Sequence, residues 1–330
     1  MYTPQARGGT GTRRLSSVIC PGFVLADIIR VMTRTKCSNL VIRPRTALMS
    51  GCRYTGPRVF SAYVDNSSPA GALASNRSRE NRDLAHIAAA VAQAAGKLLT
   101  SRPHDREPDF TPKSSPVDMV TEYDLRAERL IRSRLRAARP DDGVLGEEGG
   151  EEPGTSGTRW IIDPLDGTAN FVHELPAFAV SVAAEVDGVV VAGAVHDPSR
   201  AETFAAVLGG GAWCGGRPLR ASATSTMDAA LVSTGFSSDP ALRPRQAEVV
   251  ARVVRAAGDL RGSGSAALDL CWVAAGRLDA YYESGLRCWD WAAGALIAAE
   301  AGAEVHADDR LVTACAPGLA AAFAALVGHG

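Results

Sequence analysis

The sequence WIIDPLDGTANFVH, from Trp160 to His173, joins an apolar run to two closely spaced carboxylates. The run stops at Asp163, and Pro164, which has no backbone N–H, is expected to end the strand there. Because Pro164 fixes a turn, Asp166 can come close to the same point in space as Asp163. This stretch therefore predicts a buried strand that delivers a pair of carboxylates to its end.

The residues after the carboxylates suggest why they are paired. Gly167 permits a tight backbone, and Thr168 can cap the helix or turn that follows. Backbone N–H groups at such a start favour an anion, phosphate above all. Two carboxylates beside an anion suit a divalent metal bound to a phosphoryl group. The alternative is a solvated turn with aspartates at ordinary turn positions, and the motif alone leaves both open.

Three further segments place acids at the end of an apolar stretch or near a helix start: Ser114 to Asp124, Leu145 to Gly149, and Cys288 to Trp291. Gathering their carboxylates in one cleft would be costly, because neighbouring like charges disfavour ionisation. Bound metal ions remove that cost. The wider set of acids therefore favours a metal site over a solvated turn.

The composition fits a soluble globular protein, with 46% apolar and 22% charged residues among 330. No apolar run reaches about 18 residues, so no transmembrane helix or membrane partner is expected. Residues 1–80 hold twelve Lys and Arg against three Asp and Glu, whereas the rest of the chain is acidic. An acidic body argues against a nucleic-acid-binding core.

Residues 1–80 are interpreted as a basic, disordered N-terminal extension, and an organelle-targeting peptide is the alternative. Arginine outnumbers lysine 32 to 3 over the whole chain, which indicates a genome-wide bias rather than a targeting signal. The seven cysteines are scattered and form no CxxC pair, which predicts reduced thiols and a cytoplasmic protein.

From residue 81 onward the pattern is regular and forms one predicted catalytic domain, residues 81–330. Hydrophobic periodicity predicts helices over Asp83–Leu99, Thr121–Ala138, Pro244–Ala256, Ser265–Ala275 and Trp289–Ala301. Strands are predicted over Arg159–Asp163, Ala177–Glu185, Gly188–His196, Glu202–Val207, Ala230–Thr234 and Leu278–Glu283. A meander of strands followed by alternating strands and helices indicates an α+β class, with two halves meeting at a cleft.

Several of these segments, taken in order, resemble the signature of the inositol monophosphatase family. They are Lys113 to Thr121, Gly146 to Glu148, Trp160 to His173, Ala280 to Glu283, and Trp289-Asp290. The resemblance runs from about residue 83 to the C-terminus. It implies a layered α-β-α-β-α sandwich of the inositol monophosphatase and fructose-1,6-bisphosphatase type, assembled as a homodimer.

The resemblance also implies a site with two or three Mg²⁺ ions. One ion would be held by Glu147, Asp163 and the carbonyl of Leu165, and a second by Asp163, Asp166 and Asp290. Asp118 and Thr168, with Glu147, would activate the water, and Gly167 and Thr168 would bind the phosphate. Ser263, Ala266 and Glu283 would contact the rest of the substrate. Lys113 would support the acidic cluster.

The implied activity is hydrolysis of a small phosphorylated polyol by two-metal activation of water, with inositol 1-phosphate as the favoured substrate and lithium sensitivity. Fructose 1,6-bisphosphate, 3′-phosphoadenosine 5′-phosphate and histidinol phosphate are alternatives on the same fold. Arg287 could attract a second anionic group. His173 is interpreted as structural, and Asp124 as a helix-face charge or hydrogen-bond partner rather than a ligand.

A rival motif lies at Arg261 to Ala267, which reads G-x-G-x-x-A and opens a helix. Glu283 follows about twenty residues on, as in a dinucleotide-binding fingerprint of an oxidoreductase. The preceding residues, Ala256 to Leu260, form a poor buried strand because Gly258 and Asp259 lie within it. The oxidoreductase hypothesis is therefore the weaker one.

Overall fold

The computed structural model describes residues 70–102, 110–112, 119–308 and 310–328, which fall in one compact unit of the chain. The helices in these ranges are α1 (Ala70–Leu99), α2 (Glu122–Ala138), α3 (Thr168–Val172), α4 (Arg243–Ala256), α5 (Ala266–Ala274), α6 (Cys288–Glu300) and α7 (Ala320–Val327). Two short 3-10 turns, Met227–Ala229 and Pro317–Leu319, complete the helical content of the same ranges.

The strands come in three sheets. A short ribbon pairs β1 (Phe110–Pro112) with β2 (Met119–Thr121). The largest sheet contains β3 (Gly143–Gly146), β4 (Gly150–Glu152), β5 (Thr158–Asp166), β6 (Ala179–Val186), β7 (Val189–Asp197), β8 (Glu202–Val207), β9 (Gly211–Cys214) and β10 (Arg217–Pro218). The third contains β11 (Leu231–Thr234), β12 (Asp259–Arg261), β13 (Ala280–Glu283), β14 (Glu304–Ala307) and β15 (Val312–Cys315).

The eight-stranded sheet has the order β10-β9-β8-β7-β6-β5-β3-β4, and β3 and β5 form its parallel pair. Strand β5 is buried on both faces. Trp160 and Ile162 pack with α1 and α2 on one side, and Ile161 packs with α5 and α6 on the other. A strand covered on both faces needs apolar side chains at successive positions, which explains the uninterrupted run before Asp163.

The five-stranded sheet has the order β12-β11-β13-β15-β14 and lies beyond α5 and α6, which contact both large sheets. Its other face is covered by α4 and α7, through Val253 and Phe323 among others. The layers therefore run α-β-α-β-α, as the family resemblance implies. The two β11 pairings, with β12 and β13, are parallel, and the rest of this sheet is antiparallel.

The structure corrects the expectation that Pro164 ends the central strand. Strand β5 continues to Asp166, and its pairing with β6 shifts register between Asp163 and Asp166. A proline cannot donate to the ladder, so it is tolerated where the ladder is already irregular. Helix α1 also begins at Ala70, upstream of the predicted start at Asp83.

The hypothesis of a disordered extension concerns residues 1–80, of which residues 1–69 lie outside the described residues, whereas residues 70–80 belong to α1. Within the described ranges, each helix is too short or too polar to cross a lipid bilayer. The four cysteines in these ranges, Cys214, Cys271, Cys288 and Cys315, are free thiols, as their scattered positions suggest.

Candidate active site

Asp163 is the centre of the acidic cluster. It is 1% exposed, and its Oδ1 accepts a hydrogen bond from the backbone N–H of Leu165 at 2.9 Å. Burial raises the pKa of this carboxyl well above its usual range, and the negative charges of Glu147, Asp166 and Asp290 raise it further. Acids predicted from three separate sequence motifs therefore act on one carboxylate.

Asp166 connects the central strand to the middle helical layer. Its Oδ2 accepts hydrogen bonds from the Ser265 hydroxyl at 2.5 Å and from the Ala267 N–H at 2.8 Å, at the first turn of α5. Burial raises the pKa of Asp166 to about 6, although these hydrogen bonds oppose the shift. A carboxylate at a helix N-terminus is also favoured by the helix dipole.

Asp290 and Glu147 approach from other elements. Asp290 lies in the first turn of α6, where its Oδ2 accepts from the Arg287 N–H at 2.6 Å. Burial raises the pKa of Asp290 well above its usual range, and the charges of Asp166 and Glu147 add to the shift. Glu147 lies in the turn between β3 and β4. The predicted ligands thus come from a strand, a turn and a helix start.

The chemistry of this donor set fits a hard divalent cation. Four carboxylates and the carbonyl of Leu165 offer oxygen ligands, which Mg²⁺ prefers. Within the described ranges no Lys or Arg forms a salt bridge with Asp163, Asp166 or Asp290, so their mutual repulsion is not offset there by a protein cation. In these ranges no three acidic, histidine or cysteine side chains are grouped closely enough to hold an ion as they stand.

The structure gives Thr168 a partner that the sequence analysis did not assign to it. The Thr168 hydroxyl lies 3.1 Å from Asp124 Oδ1 and 3.0 Å from the carbonyl oxygen of Leu165. A hydroxyl has a single proton, so it donates to one of these acceptors at a time. Asp124 is 1% exposed, so it is not a solvated helix-face charge, and the hydrogen-bond interpretation is the correct one.

Asp124 is fixed by the start of its own helix. Its Oδ2 accepts from the N–H and hydroxyl of Thr121, and the Thr121 side chain caps α2 in return. Burial raises the pKa of Asp124, and the hydrogen bonds from Thr121 oppose this shift. Asp118 and Lys113, predicted to act here, lie outside the described residues. Sequence reasoning did not identify Thr168 as the partner of Asp124, because the contact spans 44 positions.

The predicted substrate residues surround the start of α5 and the end of β13. Ala266 is the first residue of α5, and the Ser263 carbonyl accepts from Asn170 Nδ2 at 2.7 Å. Glu283 accepts from the Tyr281 hydroxyl at 2.7 Å, and burial raises its pKa to about 7. Gly167, at φ 93°, precedes α3, and a side chain there would lie 2.9 Å from the Ala177 carbonyl oxygen.

A further buried acid, Asp269 on α5, was not singled out by the sequence. It is 1% exposed, and its Oδ2 accepts from the Ser233 hydroxyl at 2.9 Å, whereas its Oδ1 has no hydrogen-bond partner among the described residues. Burial raises the pKa of Asp269 to about 8, and the charges of Glu283 and Asp166 add to the shift. Burial at this position therefore favours the protonated form of Asp269.

The structure also shows where the other residues that the sequence analysis considered for a functional role lie. His173 is exposed and its backbone N–H ends the short helix α3, which agrees with a structural role. Trp291 is fully buried in the core. The Arg261 to Ala267 turn follows a three-residue, largely exposed edge strand, β12, rather than the buried strand that a dinucleotide fold needs.

Solved structures share this architecture. That of the extragenic suppressor protein suhB from Bartonella henselae superimposes with a TM-score of 0.70 and 34% identity, covering 75% of this chain and 99% of that one. A five-layer sandwich with carboxylates at the end of its central strand defines a class of layered phosphatases.

The chain belongs to the inositol monophosphatase family, because the model of that family matches residues 80–321. An inositol-1-monophosphatase SuhB from Mycobacterium tuberculosis is 48% identical over 236 residues, covering 67% of this chain and 81% of the relative. The Nus factor SuhB of Escherichia coli K12 is 39% identical over 219 residues, covering 66% and 82%. The chain is thus a phosphomonoester hydrolase.

Proposed function

We propose that the chain is a Mg²⁺-dependent inositol-1-monophosphatase, which hydrolyses inositol 1-phosphate to myo-inositol and phosphate. The observation that supports this most is the concentration of negative charge from Glu147, Asp166 and Asp290 on the buried Asp163. The name of the mycobacterial relative supports the substrate class.

In this proposal the acids divide into two ligand sets. Glu147, Asp163 and the carbonyl of Leu165 hold one Mg²⁺, and Asp163, Asp166 and Asp290 hold a second. Bound ions would lower the pKa of water and stabilise charge on the attacking and leaving oxygens.

The chain supplies the proton transfer through Thr168 and Asp124. Thr168 Oγ1 accepts a proton from the attacking water while its own proton moves to Asp124 Oδ1, 3.1 Å away. The raised pKa of the buried Asp124 makes it a better base near neutral pH. The water oxygen forms the new bond to phosphorus, the ester P–O bond breaks, and the leaving alkoxide takes a proton from solvent.

The remaining predicted residues bind the substrate. The backbone N–H groups of Gly167 and Thr168 face the phosphate, and Glu283 accepts a hydrogen bond from a hydroxyl of the polyol. Ser263 and Ala266 line the ring pocket. Lys113 supports the acidic cluster. The same proposal includes a homodimer in solution and inhibition by Li⁺, which sedimentation and inhibition kinetics would check.

The test is phosphate release by the purified full chain, with Mg²⁺ and with EDTA. The panel is inositol 1-phosphate, fructose 1,6-bisphosphate, 3′-phosphoadenosine 5′-phosphate and histidinol phosphate. We expect Mg²⁺-dependent release that is fastest from inositol 1-phosphate. Preference for another member would keep the metal chemistry and reject the substrate, whereas release that persists in EDTA would reject the metal chemistry.

One observation favours bisphosphates as a second candidate substrate class. Arg287 is exposed immediately before α6 and three residues before Asp290, where its guanidinium can meet a second phosphate. If fructose 1,6-bisphosphate is a substrate, Arg287→Ala raises its KM and leaves that of inositol 1-phosphate unchanged. An equal effect on both substrates would remove this candidate.

A further inference from the structure

A buried ion pair on α2 lies against the turn that carries Glu147. Glu128 and Arg132 are 3% and 9% exposed, and Arg132 Nε donates to Glu128 Oε1 at 2.8 Å. A buried charge pair is costly to desolvate, so its neighbours decide whether it is retained. Here those neighbours are backbone groups of the β3–β4 turn and the start of β4, together with the Glu152 carboxylate, whose Oε1 lies 3.3 Å from Arg132 Nη1.

Glu128 binds two successive N–H groups of this turn. Its Oε2 accepts from the Glu148 N–H and its Oε1 from the Gly149 N–H, each at 2.8 Å. Arg132 completes the contact, since its Nη2 donates to the Gly150 carbonyl at 2.6 Å. The two side chains therefore bind backbone groups of the three consecutive residues that follow Glu147.

The glycines on either side of the two glutamates reflect the same contact. A Cβ added at Gly146 would lie 2.5 Å from Glu128 Oε1, and one added at Gly149 would lie 2.6 Å from it. Real Cβ atoms do not approach an oxygen this closely, so a larger residue at either position would have to displace the Glu128 carboxylate from its backbone partners. The Gly-Glu-Glu-Gly sequence is thus shaped by α2 as well as by its own turn.

The same face of α2 reaches the proton-transfer pair. Asp124, Glu128 and Arg132 are spaced by four residues, so they lie on one face of the helix. Asp124 contacts Thr168, and the next two contact the turn. One helix face therefore contacts both Thr168 and the segment that bears Glu147.

We propose that Glu128 and Arg132 are positioning residues that fix the Glu147 turn and thereby set the affinity of the site for its metal ions. This inference rests on the proposed function, in which Glu147 is a metal ligand. A carboxylate can accept from both N–H groups at once, whereas a glutamine offers one oxygen and turns an NH₂ group toward the other. Partners that orient metal ligands typically change affinity about 10–100-fold when they are altered.

The experiment measures Mn²⁺ binding to the full chain by electron paramagnetic resonance of the free ion. Glu128→Gln is compared with the wild type and with Arg136→Gln. Arg136 is one turn further along α2 and pairs with Glu152, but its side chain is 65% exposed. We expect Glu128→Gln to raise the dissociation constant about 10–100-fold and Arg136→Gln to leave it unchanged.

Kinetics separate positioning from a merely structural role. Glu128→Gln should raise the Mg²⁺ concentration needed for half-maximal rate and retain kcat at saturating Mg²⁺. Arg132→Lys keeps the charge but loses the guanidinium group that contacts both Glu128 and Gly150, so it should also weaken Mn²⁺ binding. This variant replaces Glu128→Gln in the test if Glu128→Gln does not fold. A lower melting temperature with wild-type Mn²⁺ affinity in both variants would overturn the inference.

The proposed function can fail separately. A wild-type chain that binds no Mn²⁺ would overturn the metal site, and this inference with it. A wild-type chain that binds Mn²⁺ and hydrolyses inositol 1-phosphate, beside a folded Glu128→Gln variant of equal affinity, would overturn the positioning role alone.

Discussion

Asp163 concentrates the chemistry of the site in one side chain. It is buried at the end of a strand that is covered on both faces, and three other carboxylates act on its charge. Such a group stabilises the fold poorly by itself, because burial and like charges both disfavour its ionised form. The proposed cation binding would account for its presence at this position.

Asp163→Asn is therefore expected to abolish Mg²⁺-dependent phosphate release, by about 10³-fold or more, as for the loss of a principal electrostatic group. The free energy of unfolding without metal should not fall, because one buried like charge is removed. Phosphate release and urea denaturation would measure the two effects. Asp187→Asn, at an exposed hairpin position, is the matched control. An active Asp163→Asn enzyme would refute the assignment.

Asp124→Asn tests the proton-transfer role against that of Asp118. We expect kcat to fall about 10²–10⁴-fold, as for loss of a general base, with metal affinity retained. Glu122→Gln, on the exposed side of the same helical turn, should behave as wild type. If Asp118→Asn lowers kcat by this amount and Asp124→Asn does not, the family-implied assignment to Asp118 stands and the role proposed for Asp124 is wrong.

Asp269 makes stability depend on pH. Burial raises the pKa of Asp269 from its ordinary value of 3.8 to about 8 in the folded chain, so between these values the folded state holds a proton that the unfolded state releases. The free energy of unfolding therefore falls as pH rises through this window, by up to about 1.4 kcal/mol per pH unit from this group. The contribution is fully present below pH 4 and is lost above pH 8.

Asp269→Asn removes this titration and keeps an oxygen that can accept from Ser233. The free energy of unfolding of the variant minus that of the wild type should therefore be larger at pH 7.5 than at pH 5. Urea denaturation at both pH values measures this difference. An equal difference at the two pH values would mean that Asp269 does not titrate in this window.

At the scale of elements, β5 packs between two helical layers. Ile162 is fully buried on the side of α1 and α2. Ile162→Ala should lower the free energy of unfolding by about 2–5 kcal/mol, and Ile162→Val by about 0.5–1.5 kcal/mol, because a cavity adds to the lost burial. Urea denaturation measures both. Equal costs for the two variants would contradict close packing at this position.

The elements with strong periodicity were predictable, and those fixed by distant contacts were not. The helix over 121–138 and the strand over 177–185 follow from apolar spacing alone. The continuation of β5 past Pro164 does not follow from apolar spacing, because it depends on pairing with β6. Strands β14 and β15 were not predicted either, since each is four residues long and takes its place from pairing rather than from pattern.

At the scale of the whole molecule, the candidate site draws on four segments far apart in sequence. Its acids come from the start of α2, the β3–β4 turn, the end of β5 and the start of α6. Sequence reasoning named most of these acids because each motif is local. It could not pair Asp124 with Thr168, since that contact exists only after the layers have assembled.

Mg²⁺ is expected to stabilise the folded chain as a whole. A ligand that binds the native state alone adds about 2.7 kcal/mol at a hundredfold excess over its dissociation constant. The melting temperature should therefore rise with Mg²⁺ and fall with EDTA. NaCl at equal ionic strength controls for screening, and Asp163→Asn should lose most of the shift. A wild-type melting temperature indifferent to Mg²⁺ would contradict binding at this cluster.

The register shift between Asp163 and Asp166 changes the face of the sheet to which the side chains after it point. Side chains three apart on a regular strand point to opposite faces. Ile161 faces α5 and α6, so Asp163 should share that side and Asp166 should not, yet Asp166 binds the first turn of α5. Leu165 correspondingly joins the core on the side of Ile162. Between Asp163 and Asp166 the chain advances three residues while β6 advances two, so β5 carries one extra residue there. A one-residue deletion at this point would leave the two carboxylates two residues apart and on the same face of a regular strand, whereas a regular strand of the present length would place them on opposite faces.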